Sequence, residues 1–94
     1  MKESAFQAKV IKFLKEQPNA WYVKYWAGSQ YTKEGIPDIL ACISGRFHGI
    51  ELKTDVGQPS KLQLYNIRKI KDAGGEAYIL RPKDFEVWKE RWFG

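Results

Sequence analysis

Between Ser4 and about Glu16, Phe6, Val10, Phe13 and Leu14 recur at helical spacing with charged residues between them, and Pro18-Asn19 closes the run. This pattern predicts a first helix. Trp21 to Trp26 turns aromatic, with Val23 among the rings, which suits a strand, while Gly28 to Gly35 reads as a loop. Ile39 to Ile43 is a short apolar run, Ser44-Gly45-Arg46 supplies turn chemistry, and Phe47 to Thr54 resumes as a strand, so the two strands form a predicted hairpin.

After Gly57-Gln58-Pro59, Ser60 with Gln63 three positions on resembles a capping box, opening a helix that runs to Gly74-Gly75. Glu76 to Leu80 reads as a short strand. Pro82 fits the first turn of a last helix, in which Phe85, Trp88 and Trp92 fall on one face. The order α-β-β-β-α-β-α predicts an α/β sandwich around a mixed sheet of about four strands. With no repeat, linker or low-complexity stretch, residues 1–94 are expected to form a single domain.

Composition narrows the class. A chain of 94 residues, 44% hydrophobic and 29% charged, is an ordinary globular mixture able to bury one modest core. No segment has the apolar length of a membrane span, and Met1-Lys2-Glu3-Ser4 runs into an amphipathic pattern unlike a signal peptide, so a cytoplasmic protein is expected. The lone Cys42 has no partner for an internal disulfide, and one His with one Cys cannot complete a structural zinc site. A net charge of +5 and a pI near 9.4 favour an anionic partner such as nucleic acid.

The candidate chemistry lies in Gly35-Ile36-Pro37-Asp38 and, on the next strand, Glu51-Leu52-Lys53. Side chains alternate along a strand, so Glu51 and Lys53 point to one side while Ile50 and Leu52 point to a core on the other. With Gly45-Arg46 as a two-residue turn, Asp38 stands opposite Lys53 and Leu40 opposite Glu51, which puts Asp38 on the charged face. Diagonal neighbours on such a face lie on the order of 7 Å apart, close enough for two carboxylates to share a cation. Asp38, Glu51 and the backbone carbonyl of Leu52 offer hard oxygen ligands of the kind Mg²⁺ or Mn²⁺ takes. Lys53 beside them can orient an attacking water or neutralise charge growing on a phosphate. Without metal, the crowded acids are expected to titrate high.

Two further residues point the same way. Glu3 shares the apolar stripe of the first helix with Phe6 and Val10 and is expected to face inward, unless it frays at the chain end with Ser4 as the cap. Gln63 shares a helical face with Ile67 and Ile70 and can turn toward the sheet as well as cap its helix. A plainer reading stands beside these: solvated strands often alternate Glu and Lys, and Pro-Asp commonly begins a turn.

Gly35-Ile36-Pro37-Asp38, then Gly45-Arg46, then Glu51-Leu52-Lys53-Thr54 with Gly57, Ser60 and Gln63, together resemble the VRR-NUC family, the virus-type replication-repair nuclease domain of the PD-(D/E)xK superfamily. The likeness runs from Glu3 through Leu80 and is loosest at Glu3. It implies a restriction-endonuclease-like core in which Asp38 and Glu51 bind the metal, Lys53 serves the chemistry, Gln63 supports the site and Glu3 is the acid of the first helix. It further implies a phage or bacterial protein that acts as a homodimer on branched DNA such as four-way (Holliday) junctions.

Other positions carry weaker expectations. His48 has two readings, a helper on the catalytic face or, as is commoner for a lone His, a surface or packing residue, and Cys42 is expected to be core. Gln30, Tyr31, Thr32 and Lys33 precede Asp38 and offer polar groups to a DNA backbone. Lys61, Arg68, Lys69 and Lys71 form either a phosphate-tracking face or an ordinary solvated one. Trp88 and Trp92 are candidates for a dimer surface. Three functions therefore compete: a divalent-metal endonuclease, a non-catalytic nucleic-acid-binding module on the same fold, and a partner-binding protein using its aromatic C-terminal helix.

Overall fold

Helix α1, Glu3–Lys15, buries Phe6, Val10 and Leu14, the stripe that the spacing predicts. Its N-cap is Lys2 and Ser4 lies inside the helix, so Ser4 caps nothing; Glu3 in the first turn and Lys12 and Lys15 in the last complement the helix dipole. The computed structural model describes residues 1–26 and 33–94. Within them, strands β1 (Ala20–Lys24), β2 (Ile39–Ile43), β3 (Arg46–Leu52) and β4 (Glu76–Leu80) form one sheet in the order β1-β2-β3-β4. The first three are antiparallel neighbours. β4 joins β3 in parallel, after the crossover through α2, Lys61–Asp72. A single 3₁₀ turn, Pro82–Asp84, leads into α3, Phe85–Phe93, so the proline opens the turn before the helix. The mixed sheet and its three helices follow the predicted α-β-β-β-α-β-α order.

One face of the sheet carries the core. Ile39, Ala41 and Ile43 of β2, Ile50 and Leu52 of β3 and Leu80 of β4 pack with Phe6, Val10 and Leu14 of α1 and Phe85 and Trp88 of α3. Fully burying each such large side chain is worth roughly 1.5–3 kcal/mol. Phe13 meets Phe85, Trp88 and Phe93 edge-on, fastening α1 to α3. No helix is long and apolar enough to cross a membrane among the described residues.

On the opposite face α2 lies over β3 and β4 and buries Asn66 and Ile67. Beyond it, among the described residues, the same face stays open at β1, β2 and the start of β3: Trp21 is 66% and Phe47 45% exposed, and they flank the exposed Cys42 in one cross-strand row. Cys42 is therefore not core. Alternation puts it on the α2 face, on the part that the helix does not reach.

The hairpin turns at Ser44-Gly45, both at positive φ (50° and 83°), the backbone of a primed two-residue turn, with Ile43 paired to Arg46. This is one residue earlier than the expected Gly45-Arg46 turn, so Leu40 pairs with Gly49, not Glu51. Continued one step past Ile39 and Ile50, the register sets Asp38 across from Glu51. Parity is unchanged, so Asp38 and Glu51 still share a face.

Candidate active site

Gly35 leads the chain into Asp38 at a position where any side chain is strained. Its φ is +76°, and an added Cβ would lie 2.5 Å from the Leu62 side chain and 3.0 Å from the Leu62 backbone. α2 thus presses directly on this segment, and Asn66 Nδ2 ties it by donating to Gly35 O at 3.1 Å. Asp38 follows Pro37; its own carbonyl accepts from Tyr25 N at 2.8 Å, joining it to the end of β1. Its carboxylate Oδ2 accepts from the Leu52 amide at 2.9 Å, so the acid leans across onto β3.

Glu51 stands at the centre. It is 1% exposed, on the face that α2 covers. Its Oε2 accepts from Gln63 Nε2 at 2.9 Å and lies 3.2 Å from Lys53 Nζ. Its Oε1 is buried with no hydrogen-bond partner among the described residues. Burial, first, and the neighbouring Asp38 charge, second, push the Glu51 carboxyl up to about 7, against the bond and charge of Lys53; the charge of Glu3 adds to the rise. A buried acid with one orphaned oxygen is costly unless a proton or a cation satisfies it.

Asp38, Glu51, Lys53 and Gln63 are therefore brought together. Gln63 fills both expected roles: its Oε1 accepts from the Ser60 amide, Ser60 Oγ accepts from the Gln63 amide, and its Nε2 serves Glu51. Leu52 buries its side chain in the core and engages the site through its amide. Glu3 is exposed, which corrects the inward orientation expected from its spacing: at the first residue of α1 the stripe has not yet reached the sheet, and only its charge acts on Glu51. Among the described residues no three His, Cys, Asp or Glu side chains gather into a metal-holding group.

His48 does not reach this face. It shares the parity of Ile50 and Leu52, is fully buried on the core side, and meets Tyr78 Oη through Nδ1 at 2.7 Å. Trp88 Nε1 donates to the same hydroxyl at 2.8 Å, and Trp92 packs edge to face on the imidazole, 4.5 Å between centroids. Trp88 is thus buried within the chain, and Trp92, half-buried, packs on His48. Gln30, Tyr31 and Thr32 lie outside the described residues. Lys33 exchanges two bonds with the Tyr25 hydroxyl, and Lys61, Arg68, Lys69 and Lys71 are all exposed on α2, with Arg68 4.0 Å from Asp72.

Two supporting residues escaped the sequence reading. Arg81 Nη1 donates to Thr54 O and Gly57 O, both at 2.7 Å, bracing the turn just after Lys53, while Lys53 N donates to Leu80 O at 3.2 Å. Asn66 falls three residues after Gln63, on the same helical face, and that spacing was its one available signal. Comparison with family models, curated proteins and solved structures gives no match to this chain.

Proposed function

We propose that the protein is a divalent-metal-dependent endonuclease that hydrolyses DNA phosphodiester bonds, in the manner of the VRR-NUC domains its motifs resemble. The observation that carries the reading is the buried Glu51 carboxylate. One oxygen is held by Gln63 and Lys53, the other is orphaned, and Asp38 is fixed to the adjoining strand segment. A plain solvated Glu-Lys alternation would leave Glu51 in water.

The donor set fits Mg²⁺ or Mn²⁺. Asp38 and Glu51 are hard oxygen donors, and an ion that keeps most of its waters needs only one or two protein carboxylates. The Leu52 carbonyl would complete the protein's share. When bound, such an ion supplies charge neutralisation at the phosphodiester and makes water more acidic.

The chain's own groups do the rest. Lys53, its ammonium beside Glu51, holds positive charge where a scissile phosphate gains negative charge. Gln63 fixes the Glu51 rotamer from α2, and Leu52 N fixes that of Asp38, so both acids keep their aim. Branched DNA, four-way junctions foremost, is the substrate class, and a homodimer supplies the two sites that paired cuts require.

Incubation of the wild type and Asp38→Asn with a four-way junction and a matched duplex, with Mg²⁺ or Mn²⁺, tests this. Wild type is expected to cut the junction and Asp38→Asn to leave it whole. Identical products from both proteins would overturn the reading, and DNA left whole by both, yet bound, would favour a module that binds nucleic acid without cleaving it.

A further inference from the structure

Between α2 and the uncovered half of the sheet runs a groove of about 340 Å³. Its floor is apolar, formed by Pro37, Leu40, Phe47 and Ile70, and its rim carries Lys33 and Lys69. Phe47 is 45% exposed there. The groove opens on the same sheet face as Asp38 and Glu51: Phe47 and Glu51 share parity on β3, four residues and so about 13 Å apart.

We infer that this groove seats an unpaired stretch of the DNA substrate, its bases on Phe47 and the apolar floor and its phosphates against Lys33 and Lys69. The proposal deepens the nuclease reading and takes its biological sense from it. Three features select this occupant. A base-paired strand hides the faces of its bases, whereas an unpaired one offers them to an aromatic floor, and every base has a face to stack. Cations on the rim match a phosphate backbone, and a net charge of +5 adds long-range attraction. A second copy of the chain would bring its own lysines to the same rim, setting like charges against one another. Continuity with the acids then places the cut a few nucleotides from the seated segment, near where paired and unpaired DNA meet.

Fluorescence anisotropy with a labelled thymidine 12-mer and a blunt duplex of equal length, in EDTA, tests the groove without any cleavage. The single strand is expected to bind more tightly than the duplex. Phe47→Ala should weaken single-strand binding about tenfold, the equivalent of about 1.4 kcal/mol. Phe47→Tyr, which keeps the stacking surface, should restore it. Lys69→Glu should weaken it and flatten its salt dependence by at least about 0.7 in log–log slope.

Unchanged single-strand affinity in Phe47→Ala and Lys69→Glu overturns the proposal. So does sedimentation showing a wild-type dimer that Phe47→Ala splits while single-strand affinity holds, since a second copy would then occupy the groove. If wild type cleaves nothing with any divalent ion yet Phe47→Ala loses the oligonucleotide, the nuclease reading alone falls and the groove stands.

Discussion

Gln63 joins α2 to the candidate site with one side chain: its amide nitrogen donates to Glu51 Oε2 at 2.9 Å while its amide oxygen accepts from Ser60 N at 2.8 Å. Helix start and carboxylate orientation are therefore one structural event. Gln63→Ala removes both and is expected to destabilise the fold by about 1–2 kcal/mol in urea unfolding. Gln63→Glu can still cap but sets a carboxylate against Glu51, so its deficit should be large at pH 8 and shrink toward pH 5. Identical behaviour of the two variants at both pH values would show that the bond to Glu51 contributes nothing.

Glu51 gives the apo protein an unusual pH dependence. Its carboxyl is raised from 4.5 to about 7, so the folded chain holds that proton more tightly than the unfolded one. The resulting stability is fully present below 4.5 and is lost as pH rises through about 7. Over pH 5 to 8 in EDTA the loss should be on the order of 2–3 kcal/mol, and Glu51→Gln should lack it. Parallel pH profiles for the two proteins would refute this account of Glu51.

Divalent ions should reverse that loss. On the proposed reading, Mg²⁺ or Mn²⁺ at a hundred times its dissociation constant stabilises wild type by about 2.7 kcal/mol, more visibly at pH 8 than at pH 6, where Glu51 must first release a proton. Thermal melts of Asp38→Asn and Glu51→Gln should show little of this shift. A melting temperature in wild type that ignores both ions across a wide range would count against the metal.

His48 acts with the opposite sign. Burial lowers its pKa below 6.5, with Glu76 opposing and Arg46 assisting. The unfolded chain therefore takes up the proton first, and stability falls as pH drops below about 6.5. In wild type the Glu51 effect masks this, so the cleaner measurement is in Glu51→Gln. There, acid destabilisation should be plain, and adding His48→Phe should remove its pH dependence while leaving a constant deficit from the hydrogen bond lost to Tyr78.

Gly35 offers a test that needs no chemistry. Gly35→Ala combines a φ of +76° with a Cβ driven into Leu62, and should destabilise by roughly 3 kcal/mol. Because Asn66 and Leu62 hold this segment, the same change should also lower metal affinity through Asp38. A wild-type urea midpoint would show that α2 gives way easily.

Much of this was legible in the residues themselves. Alternation alone put Asp38 and Glu51 on one face, and survived a turn placed one residue late, because shifting a two-residue turn by one position moves the register by two. The same rule, properly counted, sends His48 to the side of Ile50 and Leu52. Period reports which face a side chain takes but not what covers that face. Cys42 and Phe47 are apolar yet exposed because α2 leaves β2 and the Phe47 end of β3 incompletely covered. Trp88 and Trp92 pack on Tyr78 and His48, contacts that helical spacing alone does not reveal. Arg81 gave no signal, since its work is to hold two backbone carbonyls far back in sequence.

The parallel pairing of β3 with β4 orders events in time. Every acid of the candidate centre lies in the first fifty-one residues, and the β2–β3 hairpin closes through a short local loop that forms quickly. Lys53 and the turn behind it are braced by Leu80 and Arg81, which emerge from the ribosome well after the hairpin is complete. A nascent chain halted before β4 thus carries Asp38, Glu51 and Lys53 but lacks the Leu80 and Arg81 contacts that hold the segment after them in place.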